Sequence, residues 1–204
     1  MTYFILSFIS WAIVHSLTAD ARVKERVRHS LGDRAYKGLY RLGYNVFAMM
    51  TIAPVVLVLW TKVPPTLLWQ IPKPYDLVGS AVQLVGLIGL LIALLQTDIW
   101  EFVGVRQALL FMTGMGKGER PSHLVTTGMY AFVRHPLYFF SLLMLWPTPT
   151  MTAQTLLMNL LATTYLWAGS RVEERRLAAE FGEAYTTYKQ RVPGLLPIKW
   201  GRDP

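Results

Sequence analysis

The chain has 204 residues, of which 53% are hydrophobic and 16% charged, with a net charge of +8 and a mean hydropathy of +0.34. So apolar a composition points away from a water-soluble domain and toward a membrane protein. With no cysteine, disulfides, thiolate metal sites and a cysteine nucleophile are excluded.

Thr2 to Leu17 carries no charged residue, and basic residues follow it at Arg22, Lys24, Arg26 and Arg28. A cleaved signal peptide has its charge before the apolar run, so this segment reads as an uncleaved membrane helix with its N-terminus outside. Tyr44 to Trp60 is a second uncharged run. Leu77 to Thr97 is a third, of about the twenty residues that a ~30 Å hydrocarbon core requires. Pro64-Pro65 and Pro72-Lys73-Pro74 mark the short loop between them. Asp98, Glu101 and Arg106 then lie in an amphipathic stretch, with Asp98 and Glu101 on one helical face. Gly114 to Gly118 reads as a loop, because it lacks both the Walker spacing and the preceding strand of a phosphate-binding loop.

From Leu137 to Ser170 there is again no charge, and Pro147-Thr148-Pro149 divides the run into Leu137–Trp146 and Met151–Ser170. At ~1.5 Å per residue the first arm reaches about half the bilayer thickness, so it is a thinned crossing or one arm of a re-entrant hairpin. Either way the chain returns to the side it came from. Glu173-Glu174-Arg175-Arg176 continues the last helix beyond the apolar run. Phe181-Gly182 marks its end, Tyr185 and Tyr188 share a face of the following turn, and Val192-Pro193 stops it.

The basic residues test this topology. The loop from Thr18 to Gly43 holds seven, Asp98 to His135 four and Arg171 to Pro204 seven, leaving only Lys62 and Lys73 elsewhere. The alternation fits an outside N-terminus and a cytosolic C-terminus, so the positive charge is topological and implies no nucleic acid. Trp60, Trp69, Trp100, Trp146 and Trp167 fall near segment ends, as interfacial aromatics do.

The densest set of polar functional groups is Gly128 to Tyr138, at the mouth of the long uncharged run. Arg134 and His135 offer hydrogen bonds, Pro136 starts a helix, and Tyr138 lies in that helix's first turn. Topology brings this stretch to the same interface as Glu173, Glu174 and the tail tyrosines. A carboxylate pair there can hold ribose hydroxyls, and an arginine or a helix N-terminus can hold a carboxylate. Such a pocket suits a nucleoside that carries an amino acid.

The motifs Gly128-x-Tyr130-x-x-x-Arg134-His135-Pro136-x-Tyr138 and Glu173-Glu174-x-x-Leu177…Phe181-Gly182…Tyr185-x-x-Tyr188-x-x-Arg191-Val192-Pro193…Pro197 resemble the isoprenylcysteine carboxyl methyltransferase and phospholipid methyltransferase superfamily of integral-membrane enzymes. The resemblance implies that Tyr130, Arg134, His135, Pro136, Tyr138, Glu173, Glu174, Tyr185, Tyr188 and Arg191 bind S-adenosyl-L-methionine from the cytosolic side. One departure is Phe140, where the family often has glycine, which puts a close helix or cofactor approach at that point in question. The N-terminal half, through His15-Ser16-Leu17, Arg22-Val23-Lys24, Tyr40-Arg41, Tyr44-Asn45 and Asp98…Glu101-Phe102-x-Gly104-x-Arg106, is similar to bacterial methanethiol S-methyltransferases and to NnrU-type proteins.

The expectation is therefore an all-α, polytopic integral-membrane bundle of about five transmembrane segments, including a short Pro-broken hairpin, with a cytosolic C-terminal helical tail folded over the site. It forms a single methyltransferase domain over 1–204, with three membrane helices and a basic loop in 1–97 and the cofactor-binding part in 98–204. The resemblance implies a bacterial or archaeal cytoplasmic membrane and methyl transfer from S-adenosyl-L-methionine to a small thiol or another lipid-soluble nucleophile, without a metal. A phospholipid amine or an isoprenylcysteine carboxylate is the alternative acceptor, and a non-enzymatic NnrU-type membrane protein of nitrogen-oxide or haem metabolism the alternative function. His15, Tyr44, Asp98 and Glu101 are the candidates for binding the acceptor or relaying its proton, and a bond between His15 and Tyr44 or Asn45 is the structural counterpart of that role. On this reading His135→Ala and Glu174→Ala each weaken cofactor binding and spare the fold.

Overall fold

The computed structural model describes residues 1–114 and 123–198. The loop expected over Gly114 to Gly118 lies, beyond Gly114, outside the described residues. The chain is mainly helical, in the order α1 (Thr2–Ala19), α2 (Ala21–Leu31), α3 (Asp33–Lys62), β1 (Leu67–Gln70), α4 (Asp76–Gln96), α5 (Ile99–Val103), α6 (Val105–Met112), α7 (Met129–Phe132), α8 (Pro136–Leu145), β2 (Thr150–Thr152), α9 (Ala153–Phe181) and α10 (Glu183–Arg191). Among them α1, α3 and α4 are long and apolar enough to cross a membrane. The chain divides into two compact units, Met1–Pro64 with Thr97–Pro121, and Pro65–Gln96 with Ser122–Pro204.

In the first unit, α3 packs against α1, α2, α5 and α6. It begins eleven residues before the uncharged run expected from Tyr44, because Asp33, Arg34, Lys37 and Arg41 are compatible with helix and sit on its exposed first turns. The segment from Thr18 to Gly43 is therefore mostly helix rather than loop. Asp20 caps α2 by accepting the Arg22 N–H at 2.9 Å. Gly32, at φ 77°, makes the sharp change of direction into α3. Gly104, at φ 94°, lies so close to the α3 backbone at Leu42 that a Cβ would collide with it. Asn45 completes this junction by donating to the carbonyls of Phe102 and Val103 at 3.2 and 2.9 Å.

In the second unit, α4 packs along α8 through a row of small residues. A Cβ on Gly86 would stand 2.8 Å from the Met144 backbone nitrogen, and one on Gly89 would collide with the Phe140 ring. Small residues let apolar helices approach closely where no hydrophobic driving force exists between them. The close approach questioned at Phe140 is thus retained: the missing space on α8 is supplied by Gly89 on α4, and Phe140 is buried. Gln83 and Asn159 fasten the other end of α8 by donating to the Met144 and Leu145 carbonyls, each at 2.9 Å.

The all-α expectation needs one correction. β1 and β2 form a two-stranded antiparallel ribbon with Leu67 opposite Thr152, Trp69 opposite Met151 and Gln70 opposite Thr150. Val63 is extended ahead of Pro64-Pro65, and backbone bonds of 2.8 Å from Ile71 to Pro149 and from Ala153 to Thr66 continue the pairing. Neither segment has a long alternating pattern, so periodicity alone does not reveal the ribbon.

Candidate active site

Gly128, at φ 62°, turns the chain into the single turn of α7. The Gln96 side chain at the end of α4 fills the space a Cβ would take and accepts the Met129 N–H at 3.0 Å. The chain then extends through Val133, which is fully buried, so that Arg134 and His135 are carried into the interior before Pro136 opens α8 at its first position. Pro136 itself is buried and contributes shape rather than hydrogen bonds.

Glu173 and Glu174 diverge as neighbours on a helix must. Glu174 is buried, while the Glu173 side chain is 47% exposed. Glu174 Oε1 accepts from Arg134 Nε at 2.9 Å and from Nη2 at 2.7 Å, and Lys189 Nζ lies 3.7 Å from Oε2. The His135 ring bridges the two carboxylates, with Nε2 3.3 Å from Glu174 Oε1 and Nδ1 3.4 Å from Glu173 Oε2. Tyr138 stacks parallel to His135, with centroids 5.4 Å apart and planes 3° from parallel.

Arg134 also ties down the tail. Its Nη1 donates to the carbonyls of Lys189 and Val192 at 3.1 and 2.7 Å, and its backbone N–H donates to Pro193 at 2.8 Å. Gly194 lies against the same guanidinium, where a Cβ would come within 3.1 Å of Nη2. Lys189 and Gly194 are the residues of this cluster that motif reasoning passes over, whereas Pro193 belongs to the motif. Lys189 meets Arg134 through its carbonyl and Gly194 through its missing side chain, neither of which residue type advertises.

The electrostatics follow from these contacts. Burial by itself pushes the Glu174 carboxyl up, but bonds from His135 and Arg134 and their positive charge bring it down to about 2. Glu173, although half exposed, is partly desolvated, and this is likewise overcome by the bonds of His135 and Tyr138 and the charge of His135, leaving it below the ordinary value. For His135, burial opposes protonation, yet the bonds and charges of Glu173 and Glu174 raise the imidazole above 6.5. When His135 is charged, both ring nitrogens donate, which suits its place between two carboxylates.

The tail tyrosines close this cluster. Tyr188 donates to the Tyr130 carbonyl at 2.6 Å, and burial pushes both phenols up to about 12, with the charge of Glu173 adding to the shift at Tyr130. Tyr185 meets Tyr188 edge to face at 6.0 Å and is 1% exposed. Its hydroxyl is buried and has no hydrogen-bond partner among the described residues. A buried hydroxyl left so costs about 1–3 kcal/mol, which a bound polar ligand can recover. Arg191 is exposed at the end of α10, and no hydrogen bond or ion pair among the described residues joins it to the cluster.

The other candidates lie in the first unit. Tyr44 Oη and His15 Nε2 are 2.8 Å apart, so of the two expected partners Tyr44 bonds His15 and Asn45 serves α5. Trp11 stacks on His15 at 4.9 Å, and Tyr36, Tyr40 and Tyr44 form an aromatic ladder along α3, with the Tyr40 hydroxyl donating to the Thr18 carbonyl. Asp98 is not on the face of a helix with Glu101. It is the N-cap of α5, at φ 44°, accepting the Glu101 N–H at 3.3 Å and pairing with Arg106 at 2.8 Å. Glu101 is partly exposed and forms no ion pair among the described residues.

The chain is similar in sequence to known proteins. The family described as NnrU protein matches residues 3–147. Methanethiol S-methyltransferase 1 of Bradyrhizobium diazoefficiens is 33% identical over 196 residues, covering 94% of this chain and 64% of the relative. Methanethiol S-methyltransferase of Pseudomonas deceptionensis is 31% identical over 205 residues, covering 95% of this chain and 71% of the relative. Protein-S-isoprenylcysteine O-methyltransferase of Schizosaccharomyces pombe is 30% identical over 130 residues, covering 55% of this chain and 53% of the relative. The chain thus spans less than two thirds of the length of the Bradyrhizobium protein. No solved structure matches it. The family match contains Gly128 to Leu145, and the Bradyrhizobium and Pseudomonas matches extend over nearly the whole chain, so the chain belongs to the NnrU protein family, within the wider group of isoprenylcysteine-methyltransferase-like membrane proteins.

Proposed function

We propose that the protein is an integral-membrane methyltransferase that uses S-adenosyl-L-methionine and methylates a small thiol. The observation that carries this reading is the assembly of Arg134, His135, Glu173 and Glu174 under a buried tyrosine hydroxyl that lacks a partner among the described residues. The names of the relatives support a thiol acceptor, methanethiol in two of them.

The residues fit such a cofactor. Glu173, half exposed beside His135 and Tyr138, offers a carboxylate to ribose hydroxyls, and Tyr185 offers its unused hydroxyl. Tyr130, Tyr138 and Tyr188 supply aromatic surface, and Pro136 shapes the floor. Arg134 directs its hydrogen bonds to Glu174 and the tail, so its part is to hold the tail in place rather than to meet a ligand. Bound S-adenosyl-L-methionine supplies an electrophilic sulfonium methyl. Positioning and exclusion of water then account for much of the rate, because charge disperses as the methyl is transferred. A thiol with a pKa near 8.5 must lose its proton to react. His15 with Tyr44, and Asp98 with Glu101, remain the candidates for acceptor binding and proton relay, and Arg191 a further candidate for the cofactor.

The proposed topology adds α8 and the apolar part of α9 to the three candidate spans, giving about five segments in a bacterial or archaeal cytoplasmic membrane. The N-terminus is outside and the charged end of α9 with its tail is cytosolic. On this reading residues 1–204 work as a single methyltransferase domain.

Calorimetry with S-adenosylhomocysteine in detergent tests the reading, and absence of any binding would reject it. With binding established, methyl transfer is compared between methanethiol, phosphatidylethanolamine and a farnesylcysteine analogue. Turnover of methanethiol alone is the expected result. Preference for either of the others moves the assignment to a phospholipid amine or an isoprenylcysteine carboxylate, and inactivity on all three favours a non-enzymatic NnrU-type role.

A further inference from the structure

A cavity of about 560 Å³ lies within the second unit, between α8 and α9 and bounded also by Leu195 and Leu196 of the tail. Its lining is apolar apart from a few polar atoms, and those on α9 are already used. Trp146 Nε1 donates to Thr163 Oγ1 at 2.9 Å, Thr163 donates to the Asn159 carbonyl at 2.6 Å, and Thr164 donates to the Leu160 carbonyl at 2.9 Å. With their hydroxyls turned back to the helix, both threonines have their hydrogen-bonding protons committed, so a polar ligand would gain little here and hydrocarbon loses nothing. Trp167 and Leu196 are 54% and 47% exposed, so the cavity is open rather than sealed.

The charge around the opening selects the occupant. Arg171 stands one turn beyond Trp167, its guanidinium 5.9 Å from that ring, and Arg175 follows one turn further on the same face. Both are exposed, and neither forms an ion pair among the described residues. An apolar cavity that leads past a tryptophan to two uncompensated guanidiniums matches an acyl chain with an anionic headgroup. We propose that this groove holds one acyl chain of an anionic phospholipid, whose phosphate is received by Arg171 and Arg175.

The assignment is independent of methyl transfer, since it concerns a bound lipid and not a turned-over one. Native mass spectrometry of the full chain in detergent tests it, with equimolar phosphatidylglycerol and phosphatidylcholine of identical acyl chains as probes. Wild-type protein is expected to retain the phosphatidylglycerol adduct at least about fivefold more, as follows from the attraction of basic residues to anionic headgroups. The double variant Arg171→Gln with Arg175→Gln alters only exposed positions and should bring the ratio to about one. Thr164→Trp fills the groove and should remove both adducts from protein whose thermal unfolding remains cooperative. Equal retention of the two lipids by wild type, or an unchanged preference in the double variant, overturns the proposal whether or not Thr164→Trp folds.

Discussion

The two polar clusters are built on opposite principles. Around Glu174, charges are buried and answer one another: the guanidinium and imidazole of the adjacent Arg134 and His135 and the ammonium of Lys189 converge from two stretches of chain on a carboxylate carried by a third. Around His15, the polar contact is a neutral hydrogen bond with Tyr44, set among aromatic surface. Buried charge is tolerated only when every partner is in place, so the first cluster is rigid by necessity and ties the tail to α9. A neutral pair on apolar helices can lose one member with little disturbance. The first design suits the holding of a charged cofactor, and the second suits an uncharged acceptor.

The sharpest way to break this contrast is Glu174→Ala. It strands the buried Arg134 guanidinium without a counter-charge and leaves His135 with Glu173 alone, and thermal unfolding in detergent should show a loss of about 3–5 kcal/mol. The expectation that this change spares the fold is thereby revised, whereas for His135→Ala, which leaves the Arg134 pair intact, loss of cofactor binding remains the main effect. The pH dependence carries the sign. Glu174 has a folded-state pKa of about 2 against an ordinary 4.5, so its contribution is complete above 4.5 and is lost as pH falls toward 2. His135 is shifted upward from 6.5, so its contribution is complete below 6.5 and is lost as pH rises through the folded-state value. Glu174→Ala should flatten the acid limb of stability, and an unchanged acid limb would show that the carboxylate is not held as described.

Glu173→Gln separates ligand binding from folding at the same cluster. Its side chain is half exposed and its pair with His135 is screened by solvent, so stability should fall by about 1 kcal/mol or less, well short of the loss in Glu174→Ala. Affinity for S-adenosylhomocysteine should fall about tenfold or more, as expected when a charged hydrogen-bond acceptor is lost. Unaltered affinity in calorimetry would remove Glu173 from the cofactor site.

The smallest effect is expected from Tyr44→Phe, which deletes the bond to His15 and keeps the ring. Hydrogen bonds between membrane helices average about 0.6 kcal/mol, so unfolding should shift by roughly that amount. Cofactor affinity should be unchanged and methyl transfer to the thiol reduced. A matching fall in cofactor affinity would erase the proposed division of labour between the two clusters.

Much of the fold is legible in the amino-acid sequence. The uncharged runs locate α1, α3 and α4 because a bilayer-length helix needs continuous apolar sequence and nothing else. Gly182 ends α9 and Pro136 begins α8 for local steric reasons that residue type declares. The motif residues Arg134, His135, Glu173 and Glu174 are legible too, although only as a group of chemically suitable side chains. Less legible are the helical character of the basic segment ahead of Tyr44, the ribbon of β1 and β2, and the capping role of Asp98. In each, the deciding partner is distant or is backbone.

Sequence alone determined the apolar helices, their punctuation and the inventory of site chemistry, since these depend on neighbours along the chain. Tertiary structure decided which glutamate is buried and which faces outward, that Arg134 serves the tail, that Tyr185 is left with an unused hydroxyl, and that Gly89 makes room for Phe140. These outcomes rest on distances between residues far apart in sequence. Along the chain, adjacent glutamates look alike, and only packing gives one of them an arginine and the other a view of solvent.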